Sequence, residues 1–252
     1  MAAQKGFQYE LNAAVALEPF DLVRKGFRPA GAGADVPDLM IKKPGELRAV
    51  GEHGCELKIS PSASGGSLVI KYDGTKWYFD EPKKNEDEKI FIKKLAESSG
   101  ALKEINSKWR GIQPYKFAKT KPIGLDKREI YKKELAQFED LRGSINAEAI
   151  EGYYNTKKTY YINVGTHGFY LLGPKNPMRL NGLKRFKDAA TAGWRARVQS
   201  KGGGNYQFTF EMTFGIIASK RSKYNIAPVN SARDITINQQ QLENTVAELF
   251  GT

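Results

Sequence analysis

The sequence is poor in the residues that build covalent or nitrogen-rich metal frameworks: one cysteine, Cys55, and two histidines, His53 and His167, in 252 residues. A single thiol excludes an intramolecular disulfide and a cysteine-based zinc cluster, and it points to a reducing compartment. Two histidines cannot supply a histidine-rich metal centre. Cys55 reads as core packing, with no activating base beside it. No apolar run approaches the roughly 18 residues needed to cross a bilayer. The opening residues MAAQKGFQYE lack the apolar region of a signal peptide, so the expected location is cytoplasmic, with no membrane partner.

Acid is also in short supply. The chain carries 28 Asp and Glu against 40 Lys and Arg, a formal net charge of +12. Such an excess attracts polyanions and speeds encounter with them, which makes nucleic acid the expected partner. A hydrophobic share of 40% over this length suffices for one substantial core without staples.

Residues 6–18 place Phe7, Leu11, Ala14 and Val15 at helical spacing, and Pro19 stops the pattern. Glu10 lies near a second apolar flank formed by Ala13, Ala14 and Leu17. Two strands are expected next, Asp38 to Ile41 and Cys55 to Ile59, with the Pro-Gly pair of KKPGEL making a hairpin. Further strands are expected at Ser67 to Tyr72 and Lys76 to Phe79. From Asp80 to about Asn155 charged helical segments dominate, with one apolar stripe of Ile90, Ile92, Leu95 and Leu102. Strand character returns over residues 157–172, then at Trp194 to Gln199 and Tyr206 to Ile217 around a Gly-rich loop. NQQQLENTVAELF closes with Leu242, Val246 and Leu249 on one helix face.

The chemistry concentrates in residues 36–60. Side chains alternate across a strand, so Cys55, Leu57 and Ile59 share one face of CELKI while Glu56 and Lys58 share the other. If the hairpin forms, Asp38 comes beside Glu56. Two adjacent carboxylates repel, and burial raises the cost of ionising them. A hard divalent cation, Mg²⁺ or Mn²⁺, resolves that conflict. It can also polarise a phosphoryl oxygen and activate water, with the lysine offsetting developing charge. Similar acid-x-Lys triplets at Glu81-Pro82-Lys83 and Asp87-Glu88-Lys89 sit in a polar run without apolar alternation. Asp35, in a loop, and Glu52, ahead of the strand, are nearby acids that could substitute.

Pro37-Asp38 followed 18 positions later by Glu56-Leu57-Lys58 resembles the PD-(D/E)XK nuclease superfamily, which includes type II restriction endonucleases, phage exonucleases and Holliday-junction resolvases. The resemblance covers residues 6 to about 72, and Glu10 matches in type and order the glutamate of the family's first helix. It implies an α/β (α+β) fold: a restriction-endonuclease-like mixed central sheet flanked by helices, here with a helical insertion and a β-rich basic C-terminal half. Residues 1–80 would form the core with the catalytic hairpin and 81–155 the helical insertion or layer. Residues 156–252 would complete the core and contact DNA, all in one compact domain. Residues after Ser67, and 159–172, are expected to complete the sheet.

The resemblance further implies that Asp38, Glu56 and the Leu57 backbone carbonyl ligate Mg²⁺, with Mn²⁺ as a substitute. Lys58 would assist the attacking water, and Glu10 would bind a second metal or a bridging water. The expected activity is Mg²⁺-dependent hydrolysis of phosphodiester bonds in double-stranded DNA by a sequence-specific, type II restriction-like endonuclease of a bacterium or phage-infected cell. A homodimer would present one site to each strand. Two alternatives stay open: a structure-selective phage or repair nuclease, and a non-catalytic DNA-binding protein.

DNA contacts are expected from the basic residues Lys184, Arg185, Lys187, Arg195, Arg197, Lys201, Lys220 and Arg221, and from His167 in a turn. Alternation puts Arg195, Arg197 and Gln199 on one face of a ribbon able to reach base edges, so Arg195→Ala or Arg197→Ala is expected to weaken binding at little cost to folding. A ribbon with its polar face simply in water is the competing reading.

Overall fold

The Pro-Gly turn and the alternation on either side of it produce the expected antiparallel pair. In the computed structural model, which describes residues 2–29, 36–47, 51–61, 65–84, 86–112, 114, 124–202 and 205–251, strand β1 (Leu39–Ile41) pairs with β2 (His53–Lys58), Leu39 opposite Cys55. The chain opens with α1 (Ala2–Leu17) and continues after β2 with β3 (Ser67–Tyr72) and β4 (Trp77–Phe79). Then come α2 (Asp87–Ser98), α3 (Ala101–Lys108), α4 (Gly124–Gln137) and β5 (Leu141–Ile145). Helix α5 (Ala147–Thr156) leads into β6 (Thr159–Val164) and β7 (Gly168–Leu171). Last are the short α6 (Phe186–Ala189), the long strands β8 (Ala190–Gly202) and β9 (Asn205–Ile216), and α7 (Gln239–Phe250).

Two sheets form, with strand orders β1-β2-β6-β7 and β4-β3-β9-β8-β5, so the architecture is mixed α/β. The chain divides into two compact units: Met1–Ala63 with Asn146–Thr191 and Phe214–Thr252, and Ser64–Ile145 with Ala192–Thr213. This division differs from the expected three consecutive segments. Residues 159–171 do extend the β1–β2 sheet, with β6 parallel to β2 and β7 antiparallel to β6. Residues 67–79 do not. β3 pairs with β4 and with β9 instead, where Ile70 and Leu68 lie opposite Phe208 and Phe210.

In the second unit the organising feature is aromatic. Trp77, Trp109, Phe138 and Phe208 meet with ring centroids 4.8–5.8 Å apart, in the edge-on and tilted arrangements that such rings prefer. The expected charged helical stretch is interrupted there. Gly100, with φ at 75°, separates α2 from α3, and Leu141–Ile145 is drawn into a strand by pairing with Ala192–Ala196 of β8. Ile92, Ala96, Ala101 and Ile105 form the buried helical stripe.

In the first unit α1 buries Tyr9, Ala13, Ala14 and Leu17, whereas Phe7 and Val15, expected on the inward stripe, are exposed. The rotation follows from Tyr9, whose hydroxyl donates to the Ala227 carbonyl at 2.7 Å and accepts from Asn163 Nδ2 at 3.1 Å. A phenol can enter a core at low cost only with such partners. The 3₁₀ turn Glu18–Phe20 carries Pro19 just past the end of α1. Leu242 and Val246 of α7 enter the same core, with Leu249 packed at its edge. No helix among the described residues is long and apolar enough to cross a membrane.

Gly54 sets the approach of the chain to β1. A Cβ there would stand 2.5 Å from Pro37 Cγ, 2.8 Å from the Lys158 carbonyl oxygen and 3.0 Å from Thr159 Cα. Gly54→Ala is therefore expected to cost about 1–3 kcal/mol of stability by overpacking, read from the urea midpoint at constant slope. An unchanged midpoint would show that the Pro37 segment is loosely held.

Candidate active site

Strand geometry alone brings the acids together. Extending the β1–β2 register one residue beyond Leu39–Cys55 carries Asp38 to the position opposite Glu56. Both lie at the carboxyl end of β2, which runs parallel to β6; Lys58 pairs with Val164, the last residue of that strand. In α/β sheets this is the edge where ligands gather. Asp38 Oδ2 accepts the Leu57 N–H at 2.8 Å. The Lys58 carbonyl accepts from Gly165 N on the β6 side. Since successive peptide groups of a strand face opposite edges, the Leu57 carbonyl lies on the Asp38 side.

Glu56 is the buried member of the group, at 3% exposure. Its Oε1 accepts from Lys58 Nζ at 2.6 Å, and its Oε2 has no hydrogen-bond partner among the described residues. The end of helix α5 approaches this carboxylate through its capping residue. Lys157, which caps its C-terminus, brings Nζ to 4.0 Å from Glu56 Oε2. Glu10 is half-buried on α1 beside the Tyr9 anchor, within electrostatic reach of Lys58 and Glu56. Among the described residues no three His, Cys, Asp or Glu side chains are already gathered as a metal cage. The cation that Glu56 holds directly is the Lys58 ammonium.

Electrostatics follow from burial. Burial first, then repulsion from Glu56, pushes the Asp38 carboxyl up to about 8, against the opposing pull of Lys58 and the Leu57 N–H. Burial likewise raises Glu10 to about 7, with Lys58 opposing and Glu56 reinforcing. Lys58 is raised by Glu56 and Asp38, which outweigh its burial and keep it an ammonium. A buried carboxylate oxygen lacking a donor, next to two acids reluctant to ionise, matches the preference of a hard divalent cation for oxygen ligands.

The other expected positions resolve differently. Arg195, Arg197 and Gln199 do share one face of β8, but all three converge on the buried Glu211 of β9. Arg195 Nη2 lies 2.6 Å and Arg197 Nε 3.1 Å from Oε2, and Gln199 Nε2 donates to Oε1. A ribbon free to read base edges is thus not what forms; Glu211, facing the same side, takes the donors. Arg185 and Lys187 are likewise engaged, Arg185 with Glu151 and Lys187 with Glu148 at 3.5 Å. The side chain of Lys201 and all of Asp35 lie outside the described residues. Glu52 remains ahead of β2.

His53 faces edge-on to Tyr160, with centroids 6.1 Å apart, and shares the strand face of Cys55 and Leu57 rather than that of Glu56. His167 sits in the turn after β6, its Nε2 2.9 Å from Arg221 Nη2, and Lys184 Nζ donates to the carbonyls of Lys220 and Arg221. Cys55 is a free thiol, fully buried in the core of the first unit. Sequence alternation missed Lys157, because a lysine between a helix and a strand belongs to neither periodicity.

Comparison with family models, curated proteins and solved structures found no match.

Two expectations follow. Asp38 titrates higher in the folded chain than the usual unfolded value near 4. The native state therefore holds the extra proton between those values, and stability falls as pH rises through that window. Without divalent cation, the stability of the wild type relative to Asp38→Asn should decline from pH 4 to pH 8, read by urea melts; a constant difference would refute the raised value. Glu211→Ala should cost about 2–3 kcal/mol, below the 3–5 of a fully buried pair because Arg195 and Arg197 are 20% and 32% exposed. Arg195→Ala should also destabilise the fold, unlike a free surface arginine.

Proposed function

We propose that the chain is a Mg²⁺-dependent DNA endonuclease that hydrolyses phosphodiester bonds. The observation that carries this reading is the convergence of Asp38, Glu56 and Lys58 at one sheet edge, with a buried Glu56 oxygen that lacks a hydrogen-bond partner among the described residues. Asp38, Glu56 and the Leu57 carbonyl would hold the cation, with Glu10 supporting from α1. When bound, a divalent cation supplies Lewis acidity toward a phosphoryl oxygen and lowers the pKa of water.

The chain's own groups perform the remaining tasks. Lys58 stays protonated beside Glu56, so it acts as a cation offsetting charge that builds on the phosphoryl oxygens, and as a donor that orients the attacking water. Its base chemistry is closed off by the same carboxylates. In the overall step water adds across the P–O bond: its oxygen joins phosphorus and the departing oxygen gains a proton. The turn after β6 adjoins Lys58 through the Gly165–Lys58 hydrogen bond. The exposed Lys220 and Arg221, with Lys184 and His167, are therefore the backbone contacts favoured here, displacing the β8 ribbon.

With the ribbon engaged by Glu211, sequence-specific cutting loses its assigned readers. Incubation with mixed-sequence duplex, supercoiled plasmid and branched DNA, followed by sequencing of the ends, separates a restriction-like from a structure-selective enzyme. The 2.6 Å Lys58–Glu56 ion pair favours one rival, a DNA-binding protein whose acids are structural. Cleavage on adding Mg²⁺ that stops with a chelator is expected, with a loss of at least about 10³-fold in Asp38→Ala and Lys58→Ala while DNA binding survives. Mobility shift without cutting under every condition would select the rival.

A further inference from the structure

Glu56 is bracketed by two ammonium groups. Lys58 Nζ bonds Oε1 at 2.6 Å, whereas Lys157 Nζ stands 4.0 Å from Oε2. That spacing exceeds a hydrogen bond, so Lys157 acts on Glu56 through its charge and leaves the Oε2 lone pairs available. Its side chain is only 10% exposed, and the ammonium lies 5.7 and 5.9 Å from the ring centroids of Tyr153 and Tyr154. Aromatic faces attract a cation, and here they hold it beside the carboxylate. Tyr153 and Tyr154 are themselves buried in the first unit, so the arrangement is built into α5 rather than borrowed from solvent.

Counting charges at this edge gives three carboxylates, Glu10, Asp38 and Glu56, against two ammoniums, Lys58 and Lys157. Even with every carboxyl ionised, the group carries no more than one net negative charge. Mg²⁺ gives up its water reluctantly, and dedicated sites for it commonly draw on substrate phosphates as well as carboxylates. A single net charge is a weak trap for such an ion.

We propose that Lys157 is a positioning residue that keeps the DNA-free site too weakly negative to load a divalent cation, so that metal and backbone phosphate bind together. This rests on the metal-nuclease reading above. The incoming phosphate supplies the missing negative charge, and by linkage the metal raises DNA affinity by the same factor that DNA raises metal affinity. Loading is thereby confined to the complex with substrate.

The test is Mn²⁺ binding measured calorimetrically on the full chain, in the wild type and in Lys157→Met, Lys157→Gln and Lys157→Arg, with circular dichroism to verify folding. Without DNA, the Met and Gln variants should bind Mn²⁺ about tenfold or more tightly than the wild type, as removal of a neighbouring unit charge demands, and the Arg variant should match the wild type. Added mixed-sequence duplex should tighten Mn²⁺ binding to the wild type, after subtracting the ion bound by duplex alone, and should do so less in the Met and Gln variants. Equal DNA-free affinities across all four proteins, or a wild-type affinity indifferent to duplex, would overturn the inference. If the wild type still cleaves with Mg²⁺, the nuclease reading survives that result; if it neither cleaves nor binds Mn²⁺ with duplex present, both fall.

Discussion

Everything at the candidate site depends on one buried carboxylate. Glu56 sits in a strand flanked on both sides, by β1 and by β6, and its side chain is buried where solvent cannot serve it. Such a group must be paired, and the surrounding chain is arranged accordingly: Lys58 on one oxygen, the charge of Lys157 near the other, Asp38 held opposite by the Leu57 N–H. The ion pair itself is poor evidence for stability, because desolvating two charges offsets most of their attraction. Shifted acids and a lysine held as an ammonium cluster here at one sheet edge, the pattern that marks a candidate site.

The second carboxylate of this kind, Glu211, shows how similar chemistry can mean something different. It too is buried, but its oxygens are fully taken by Arg195, Arg197 and Gln199, leaving no lone pair in search of a cation. Its work is to tie β8 to β9. The contrast between an occupied and an unsatisfied buried oxygen separates the two sites better than residue type does.

The β1–β2 hairpin was legible in the sequence because period-two alternation and a Pro-Gly turn are local signals, and they determine which residues share a face. The exact bounds of β3 and the position of α7 were legible for the same reason. Sheet membership was not. Nothing local in Ser67–Tyr72 shows that its partner is β9, more than a hundred residues away, rather than β2. The inward face of α1 was misread because Phe7 and Val15 are apolar but carry no partner, whereas Tyr9 is fixed by Asn163 and Ala227 from distant parts of the chain. The engagement of the Arg195 ribbon by Glu211 was not legible for a related reason: alternation along one strand is silent about an acid on the next. Gly54, by contrast, has a plain physical warrant once Pro37 is seen against it.

The central claim is spatial: Asp38, Glu56 and the Leu57 carbonyl define a place for a hard cation at the edge of the first sheet. Crystals of the protein grown with duplex DNA and Mn²⁺ should show an anomalous peak within coordination distance of Asp38 and Glu56, with Lys58 beside the scissile phosphate. Well-ordered carboxylates with no anomalous density between them, and Lys58 still closed on Glu56 against bound DNA, would contradict it.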